Sequence, residues 1–252
     1  LPGAARIDAL YPDQVEDLLF IASQHATANR TVKAGCDLFS QGEQGDAIYH
    51  FIDGWGVLYN LLEDGRRQIL QFALPGSALA FVPANDATMA YGAQTLTDAV
   101  VSVIPYARLK RLARGNPEIG LQLAALIAQD RLLAYDHLSS IGRRSARKRV
   151  ARLLLELFIR YRMRWPGHRI EEMHLPLTQE HIGDATGLTG VHINRVLQDL
   201  RRDGITEFHY RRLRILNPDK LIDAAGVDFA LMVQGLGARA RLESSARRNY
   251  NT

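Results

Sequence analysis

Residues 178–203 read TQEHIGDATGLTGVHINRVLQDLRRD, a pattern of two short helices separated by a tight turn. Gly187 supplies that turn, since glycine adopts a positive φ without a steric penalty. Thr189 is a suitable N-cap for the second helix, because its hydroxyl can accept a hydrogen bond from a free backbone N–H group. Apolar residues at helical spacing predict a buried stripe of Ile193, Val196, Leu197 and Leu200. The unit is typical of a helix-turn-helix, whose second helix enters the major groove of DNA.

The distribution of charge favours this interpretation over an ordinary pair of helices. The net charge of +4 is unevenly spread: residues 1–141 carry 10 Lys and Arg against 15 Asp and Glu, whereas residues 142–220 carry 17 against 9. A solvated basic face is the alternative explanation. A basic block that coincides with the helix-turn-helix is, however, the electrostatic footprint expected of a DNA-binding protein.

Composition sets further bounds on the chain. Its 252 residues are enough for two ordinary domains, and 47% hydrophobic with 23% charged residues is typical of a soluble globular protein. No apolar run approaches the roughly 18 to 20 residues that span a bilayer, and the first twenty residues lack the design of a secretion signal. Cys36 is the single cysteine, which excludes an internal disulfide. We therefore expect a cytoplasmic protein that does not associate with a membrane.

Short β runs separated by glycine turns dominate the first half of the chain. Strands are predicted at residues 47–52, 57–62 and 66–72, with one or two more in residues 94–104. Asp64-Gly65 between the second and third of these is a strong hairpin signal. Many short strands at this spacing predict a closed or double-sheet β barrel.

Helical periodicity returns after the barrel segment. A short helix is predicted at residues 105–113, and a long helix runs from about residue 117 to residue 141. The long helix carries apolar residues in heptad-like steps, which predict a dimer seam that includes Ile119, Leu123, Leu126, Ile127, Leu133 and Leu138. The alternative is a helix buried only on its own barrel.

The second half of the chain continues with a predicted hinge at Gly142, Arg143 and Arg144 and a helix at residues 145–164. After the helix-turn-helix, residues 204–209 and 213–216 predict two small strands, which form a wing. Arg211 and Arg212 lie in the connection between them and could contact phosphates.

Two stretches in this order resemble the family of the cyclic-AMP receptor protein and FNR, the Crp/Fnr family of bacterial transcription regulators. Residues 41–54, QGEQGDAIYHFIDG, are similar to the early β-roll signature of that family, and residues 187–197 are similar to its helix-turn-helix. The resemblance implies a homodimer whose β-roll senses a signal and whose winged helices bind a near-palindromic operator in double-stranded DNA. RNA polymerase is an expected partner if the protein is an activator.

The resemblance implies an α+β fold, in which an N-terminal β-roll (a double-stranded β-helix like that of cyclic-nucleotide-binding domains) precedes a long dimerisation helix and a winged helix-turn-helix. The expected domains are a β-roll sensor at 1–116, the dimerisation helix at 117–141, the DNA-binding domain at 142–225 and a mobile tail at 226–252.

Departures from the family pattern limit which effector molecules the β-roll could bind. Cyclic-nucleotide binders of the family place a Gly-Glu pair soon after the turn at Pro75-Gly76 and an arginine further on. Here Ala80-Phe81 replaces the pair, and residues 82–100 contain no lysine or arginine. Because a buried phosphate without a cation would be costly, we expect that cyclic AMP does not bind in the family's usual way.

Other cofactors are constrained in the same manner. An iron–sulfur cluster held by several cysteines is excluded by the presence of Cys36 alone. His50 or His137 could serve as an axial haem ligand, although a structural histidine in the core or at the surface is the better explanation for either. His168, His174 and His181, expected in a loop and a helix, lack zinc-ligand spacing. No cofactor or metal is therefore predicted.

The predicted recognition helix has an unusual set of DNA-contacting residues. Many relatives carry a glutamate where Val191 stands, whereas Arg195 occupies the position of an arginine that can contact guanine. Asn194 could pair with adenine, and Val191 could pack against a thymine methyl group. The full set of predicted DNA contacts is Thr178, Gln179, Thr189, Gly190, Val191, His192, Asn194, Arg195, Arg211 and Arg212.

Two competing classes of function follow from the same residues. A ligand-binding β-roll that acts as a regulatory module, without specific DNA binding, is the alternative to a transcription regulator. An enzyme is not predicted, because no nucleophile–base pair and no cluster of metal ligands stands out in the sequence.

Overall fold

A computed structural model describes residues 28–80, 88–164 and 172–229, together with Met232 and Leu236. The chain forms two compact units, which divide between Arg131 and Leu132. None of the helices in the described part of the chain is both long enough and apolar enough to cross a bilayer. Apolar residues at helical spacing predict a short amphipathic helix at residues 12–26. This segment and most of the predicted tail lie outside the described residues.

The first unit is built from two four-stranded antiparallel sheets, in the orders β1-β8-β3-β6 and β2-β7-β4-β5. Their strands are β1 (Ala28–Val32), β2 (Asp37–Phe39), β3 (Ala47–Asp53), β4 (Gly56–Leu61), β5 (Arg67–Ala73), β6 (Ala78–Leu79), β7 (Gly92–Thr95) and β8 (Ala99–Pro105). Apolar side chains from both sheets meet in one core, among them Phe39, Phe51 and Val101. This arrangement confirms the predicted double-sheet β-roll.

The hairpin between β4 and β5 forms where the sequence predicts it. Gly65 has a φ of 78°, and the backbone N–H of Leu62 donates to the carbonyl of Arg66 at 2.8 Å. A left-handed conformation at this position favours glycine. The Asp64-Gly65 signal is therefore confirmed.

Two helices follow the sheets: α1 (Tyr106–Gly115) and α2 (Pro117–Arg143). Leu126 on α2 is buried in a cluster with Ile48 and Ile104 of the β-roll, so the first half of α2 packs on its own sheet. The helix continues through Gly142 and Arg143 and breaks at Arg144 and Ser145, so the break begins at the last of the three residues predicted as a hinge. A glycine inside a helix costs about 1 kcal/mol relative to alanine, which here does not end the helix.

The second unit is centred on α3 (Ala146–Arg164), against which α4, α5 and α6 pack. Its other elements are β9 (Glu172–His174), α4 (Gln179–Thr186), α5 (Gly190–Arg202), β10 (Thr206–His209), β11 (Arg212–Ile215) and α6 (Pro218–Ala225). The strands form a sheet in the order β10-β11-β9. β9 is not predicted from the sequence, and His174 lies in this strand instead of in a loop or helix.

Candidate nucleic-acid interface

The first turn of α4 is fixed by a reciprocal pair of hydrogen bonds. Thr178 Oγ1 accepts from the backbone N–H of His181 at 3.1 Å, and His181 Nδ1 accepts from the backbone N–H of Thr178 at 3.3 Å. Since the hydroxyl of Thr178 uses only a lone pair here, its hydrogen can still be donated to a phosphate. Gln179 is exposed in the same turn. Both predicted phosphate contacts therefore lie at the start of α4.

The turn between α4 and α5 depends on two glycines. Gly187 has a φ of 67°, as the sequence predicts, and caps the end of α4. Gly183 allows the chain to return closely, because a Cβ at this position would lie 2.6 Å from the carbonyl oxygen of Leu188. These two positions set the angle at which α5 leaves α4.

Helix α5 has one buried face and one exposed face. Ile193, Val196 and Leu200 are buried, whereas Leu197 is half-buried. The opposite face exposes a mostly polar group of residues: Gly190, Val191, His192, Asn194, Arg195 and Gln198. Val191 is 81% exposed, which leaves an apolar side chain free to contact a base. The predicted stripe and the predicted contact face of the recognition helix thus separate onto opposite sides.

Arg195 lies near the middle of the exposed face. Its side chain makes no hydrogen bond or ion pair with any residue in the described ranges. The five guanidinium donors are therefore available for a base edge or a phosphate. Beside it, Gln198 Nε2 donates weakly to Asn194 Oδ1 at 3.4 Å, which leaves the amide N–H₂ of Asn194 free to act as a donor.

The start of α5 differs from the prediction. Thr189 occupies the N-cap position, but its side chain makes no capping hydrogen bond, so this part of the prediction is wrong. Its Oγ1 lies 2.9 Å from His192 Nδ1 instead. The imidazole one turn later competes for the hydroxyl, and this contact holds His192 beside the first turn of the recognition helix.

The wing is a tight hairpin between β10 and β11. Tyr210 and Arg211 both have left-handed backbone conformations, with φ values of 49° and 60°, and Tyr210 is 97% exposed at the tip. Arg211 is exposed, and its guanidinium has no partner among the described residues. Arg212 donates to Glu172 at 2.8 Å, so the two predicted wing arginines differ in how freely they could reach a phosphate.

Acidic side chains neutralise the far end of α5. Arg202 pairs with Asp199 at 2.9 Å, and Arg147 pairs with Asp203 at 2.7 Å. The hydrogen bond from Arg147, together with the charge of Arg202, holds the pKa of Asp203 below its usual range despite partial desolvation. Among the described arginines of α5 and the wing, Arg195 and Arg211 are therefore the two without an acidic partner.

The residues predicted as a dimer seam divide into two groups. Ile119, Leu123 and Leu126 pack on the β-roll cluster. Leu133 is half-buried, whereas Ile127 and Leu138 are 45% and 70% exposed. Three further apolar side chains of α2 are exposed but are not in the predicted seam: Leu121, Leu132 and Tyr135. Their spacing of 11 and 3 residues is helical and could have identified them.

The β-roll offers few groups for a charged ligand or a metal. No lysine or arginine is buried among its described residues. His50 is buried in β3, and His137 of α2 lies 3.4 Å from Glu156 through its Nε2. Within the described ranges no three His, Cys, Asp or Glu side chains are grouped so as to hold a metal ion. Cys36 is exposed immediately before β2.

Both halves of the chain match known domain families. Residues 148–224 match the Crp-like helix-turn-helix domain, and residues 29–116 match the cyclic nucleotide-binding domain. The solved structure of FixK2 from Bradyrhizobium japonicum aligns with a TM-score of 0.72 at 27% identity, covering 80% of this chain and 98% of that one.

Curated relatives agree with the domain matches. The transcriptional activatory protein AadR of Rhodopseudomonas palustris is 31% identical over 183 residues, which are 73% of this chain and 75% of AadR. The nitrogen fixation regulation protein FixK of Rhizobium meliloti is 29% identical over 192 residues, 76% of this chain and 84% of FixK. With this identity over most of its length, and with the β-roll and winged helix-turn-helix in the same order, the chain belongs to the Crp/Fnr family of transcription regulators.

Proposed function

We propose that this chain is a homodimeric, sequence-specific DNA-binding protein that regulates transcription from a near-palindromic operator. The observation that carries the proposal is the exposed face of α5, on which the side chain of Arg195 has no partner among the described residues. On the opposite face, Ile193, Val196 and Leu200 are buried. Major-groove readout requires such a face, since base edges are recognised by unpaired donors and exposed apolar groups. Thr178 and Gln179 at the start of α4, and Arg211 in the wing, supply phosphate contacts that set the register on the duplex.

The dimer interface is proposed on the exposed apolar side of α2, where Ile127, Leu132, Tyr135 and Leu138 lie. Single exposed apolar residues are common, but a row of them along one helix favours an interface. A symmetric dimer would present its two recognition helices about one DNA turn apart, roughly 34 Å. This separation accounts for an operator with two related half-sites.

Cyclic AMP does not fit the β-roll in the family's usual way. The inner core is filled by the chain's own apolar side chains, with the rings of Phe39 and Tyr49 5.1 Å apart. No cation is buried there among the described residues, and the segment 81–87 contains neither lysine nor arginine. A cyclic phosphate would lose its hydration without gaining a charged partner. We infer that any effector is a different molecule, and calorimetry that detects tight cyclic-AMP binding would overturn this inference.

Partners and location follow from the same proposal. A relative is named a transcriptional activatory protein, and an activator of this design acts together with RNA polymerase in the cytoplasm. Enzymatic activity and a haem are not part of the proposal. A metal ion is not part of it either, because the described residues contain no group of three His, Cys, Asp or Glu side chains that could hold one.

Selection of bound genomic fragments, followed by footprinting of the best fragment, tests the proposed function. A protected site with a dyad and two half-sites one helical turn apart supports it. Equal retention of all fragments, or protection without a dyad, contradicts it. Equal retention together with a bound small molecule would instead favour a regulatory ligand-binding module without specific DNA binding.

A further inference from the structure

The last turns of α2 belong to the same compact unit as the winged helix-turn-helix, because the two units divide between Arg131 and Leu132. Charged side chains join these turns to α3. Asp136 and His137 lie on α2, and their partners Arg152 and Glu156 lie on α3. These four residues are referred to below as the α2–α3 ion cluster.

Arg152 is the centre of the α2–α3 ion cluster and is only 1% exposed. Its Nε donates to Asp136 Oδ2 at 2.6 Å, and its Nη2 donates to the same oxygen. Its Nη1 donates to Glu156 Oε2 at 3.2 Å. One buried guanidinium therefore binds a carboxylate on each of the two helices.

Glu156 provides a second contact between the helices and is 4% exposed. Its carboxylate lies 3.4 Å from His137 Nε2 and 3.5 Å from Arg160 Nη1. Burial raises the pKa of Glu156, but His137, Arg152 and Arg160 outweigh burial and hold this pKa well below its usual range. The side chain is therefore a carboxylate at neutral pH, and it fixes α2 against α3 at a point adjacent to the Asp136–Arg152 contact.

A further set of contacts runs from the end of α2 to the helix-turn-helix. Arg149 Nε donates to the carbonyl of Arg144 at 2.9 Å, and its Nη1 donates to the carbonyl of Thr186 at 3.2 Å. Ile141 lies beside the same turn, since a Cβ on Gly187 would be 3.8 Å from its Cγ2. Contacts with α3 thus fix both the direction of the last turns of α2 and the position of the α4–α5 turn.

We propose that the α2–α3 ion cluster makes the last turns of α2 and the DNA-binding helices one rigid body, so that the dimer accepts a single spacing between operator half-sites. The inference rests on the proposed dimeric DNA binding. Buried ion pairs need accurate geometry to offset desolvation, and so they restrict orientation more than they add net stability. One extra base pair moves a half-site by about 3.4 Å and rotates it by roughly 35°, a change that a rigid body cannot follow.

Asp136→Asn tests the proposal directly, because it weakens the inter-helix contact at a residue outside the DNA surface. The full-length protein is titrated with the selected operator and with versions whose half-sites are one base pair closer or further apart. We expect wild type to bind the original spacing about tenfold or more tightly, as a rigid dimer should. The variant should discriminate by less than about threefold while its affinity for a single half-site is unchanged.

A matched control removes the same charge elsewhere. Asp98→Asn breaks an exposed ion pair with Lys33 in the β-roll and should leave the spacing preference of wild type intact. Equal spacing preference in Asp136→Asn and wild type overturns the proposal.

A second variant keeps the proposal testable if Asp136→Asn fails to fold. Arg152→Met combined with Glu156→Met replaces the buried charges by apolar side chains of similar length, a type of exchange that folded proteins often tolerate. It should show the same loss of spacing preference. Hydrogen exchange of the DNA-free protein gives an independent measurement: residues 132–143 should exchange faster in both variants, and the β-roll should not change. Unchanged protection of residues 132–143 in both variants overturns the proposal, whether or not wild type binds an operator. Failure of wild type to bind any operator would instead contradict the proposed function.

Discussion

Thr178 and His181 complete a reciprocal capping box at the start of α4, with a histidine in the place that a glutamate or glutamine usually takes. The imidazole Nδ1 must be an acceptor in this arrangement, since it receives the backbone N–H of Thr178. The box orders the turn that also carries the proposed phosphate contacts. Its contribution can be measured without DNA.

Thr178→Ala should lower the free energy of unfolding by about 1 kcal/mol, because it removes the acceptor for the backbone N–H of His181. Thr178→Ser retains the hydroxyl and should unfold close to wild type in urea. His181→Gln keeps a box partner and should also stay close to wild type. A serine variant as unstable as the alanine variant would show that the methyl group of Thr178, and not the cap, stabilises the turn.

Arg195→Ala should weaken operator binding by about 1–3 kcal/mol and relax specificity at one base pair of each half-site. The reason is that Arg195 is the unpaired guanidinium on the exposed face of α5. Fluorescence anisotropy with the operator and with random DNA measures both effects. Arg66→Ala, which removes an exposed arginine from the β-roll, is the matched control. Equal losses on operator and random DNA would identify Arg195 as a phosphate contact instead.

Val191→Ala should lower affinity by about 1 kcal/mol for operators with a thymine at the facing position, because two methyl groups no longer pack against the base. Replacing that thymine by uracil should weaken operator binding by wild type to a similar extent. The same replacement should add little to the loss of affinity already caused by Val191→Ala. Titration of the four combinations of protein and operator gives the coupling free energy between Val191 and the thymine methyl group. Fully additive losses would mean that Val191 does not contact the thymine methyl.

Leu138→Glu should shift the protein from dimer to monomer, since it places a charge on a 70% exposed leucine of the proposed interface. We expect the dimer Kd to rise by at least about tenfold, which is typical of a central apolar contact. Sedimentation velocity over a concentration series measures the change. Leu61→Glu replaces a 56% exposed leucine of β4 and should leave the dimer intact. If both variants behave alike, the interface lies elsewhere.

Glu156→Gln should destabilise the second unit by about 3 kcal/mol at neutral pH, because it removes the charge that Arg152 and His137 face in a buried site. The pKa of Glu156 is lowered in the folded state. Its stabilisation is therefore fully present above the unfolded value of about 4.3 and declines as pH falls below that value. Urea unfolding at pH 7, 5 and 3 should show a difference at pH 5 that is at least as large as at pH 7, and a smaller one at pH 3. A difference that shrinks already between pH 7 and 5 would contradict this assignment.

The sequence predicts the fold well wherever local chemistry decides it. Gly65 and Gly187 both adopt the positive φ that their turns require, and the buried stripe of α5 follows from its apolar spacing. Short strands are harder, because β9 is three residues long and only Met173 within it is buried. A pattern of one buried residue cannot be separated from a loop.

The parts of the site that the sequence analysis misjudged depend on competition between neighbours. Thr189 has the right chemistry for a cap, yet the imidazole of His192 takes its hydroxyl. Gly142 looks like a hinge, but the helical hydrogen bonding continues past it, with the N–H of Arg144 donating to the carbonyl of Ser140 at 3.0 Å. The inter-helix pairs of the α2–α3 ion cluster join residues 16 or more positions apart, and such pairs cannot be predicted until the packing of the two helices is known.

The turn of the wing has a consequence for redesign. Tyr210 and Arg211 are held in left-handed conformations, each of which costs roughly 1–2 kcal/mol for a residue with a side chain. Asparagine adopts this conformation more readily, so Tyr210→Asn would relieve part of the strain and keep the side chain of Arg211. Relieving this strain would raise the free energy of unfolding. The added stability would help the fold tolerate destabilising substitutions on α5 when the protein is redesigned for a new operator.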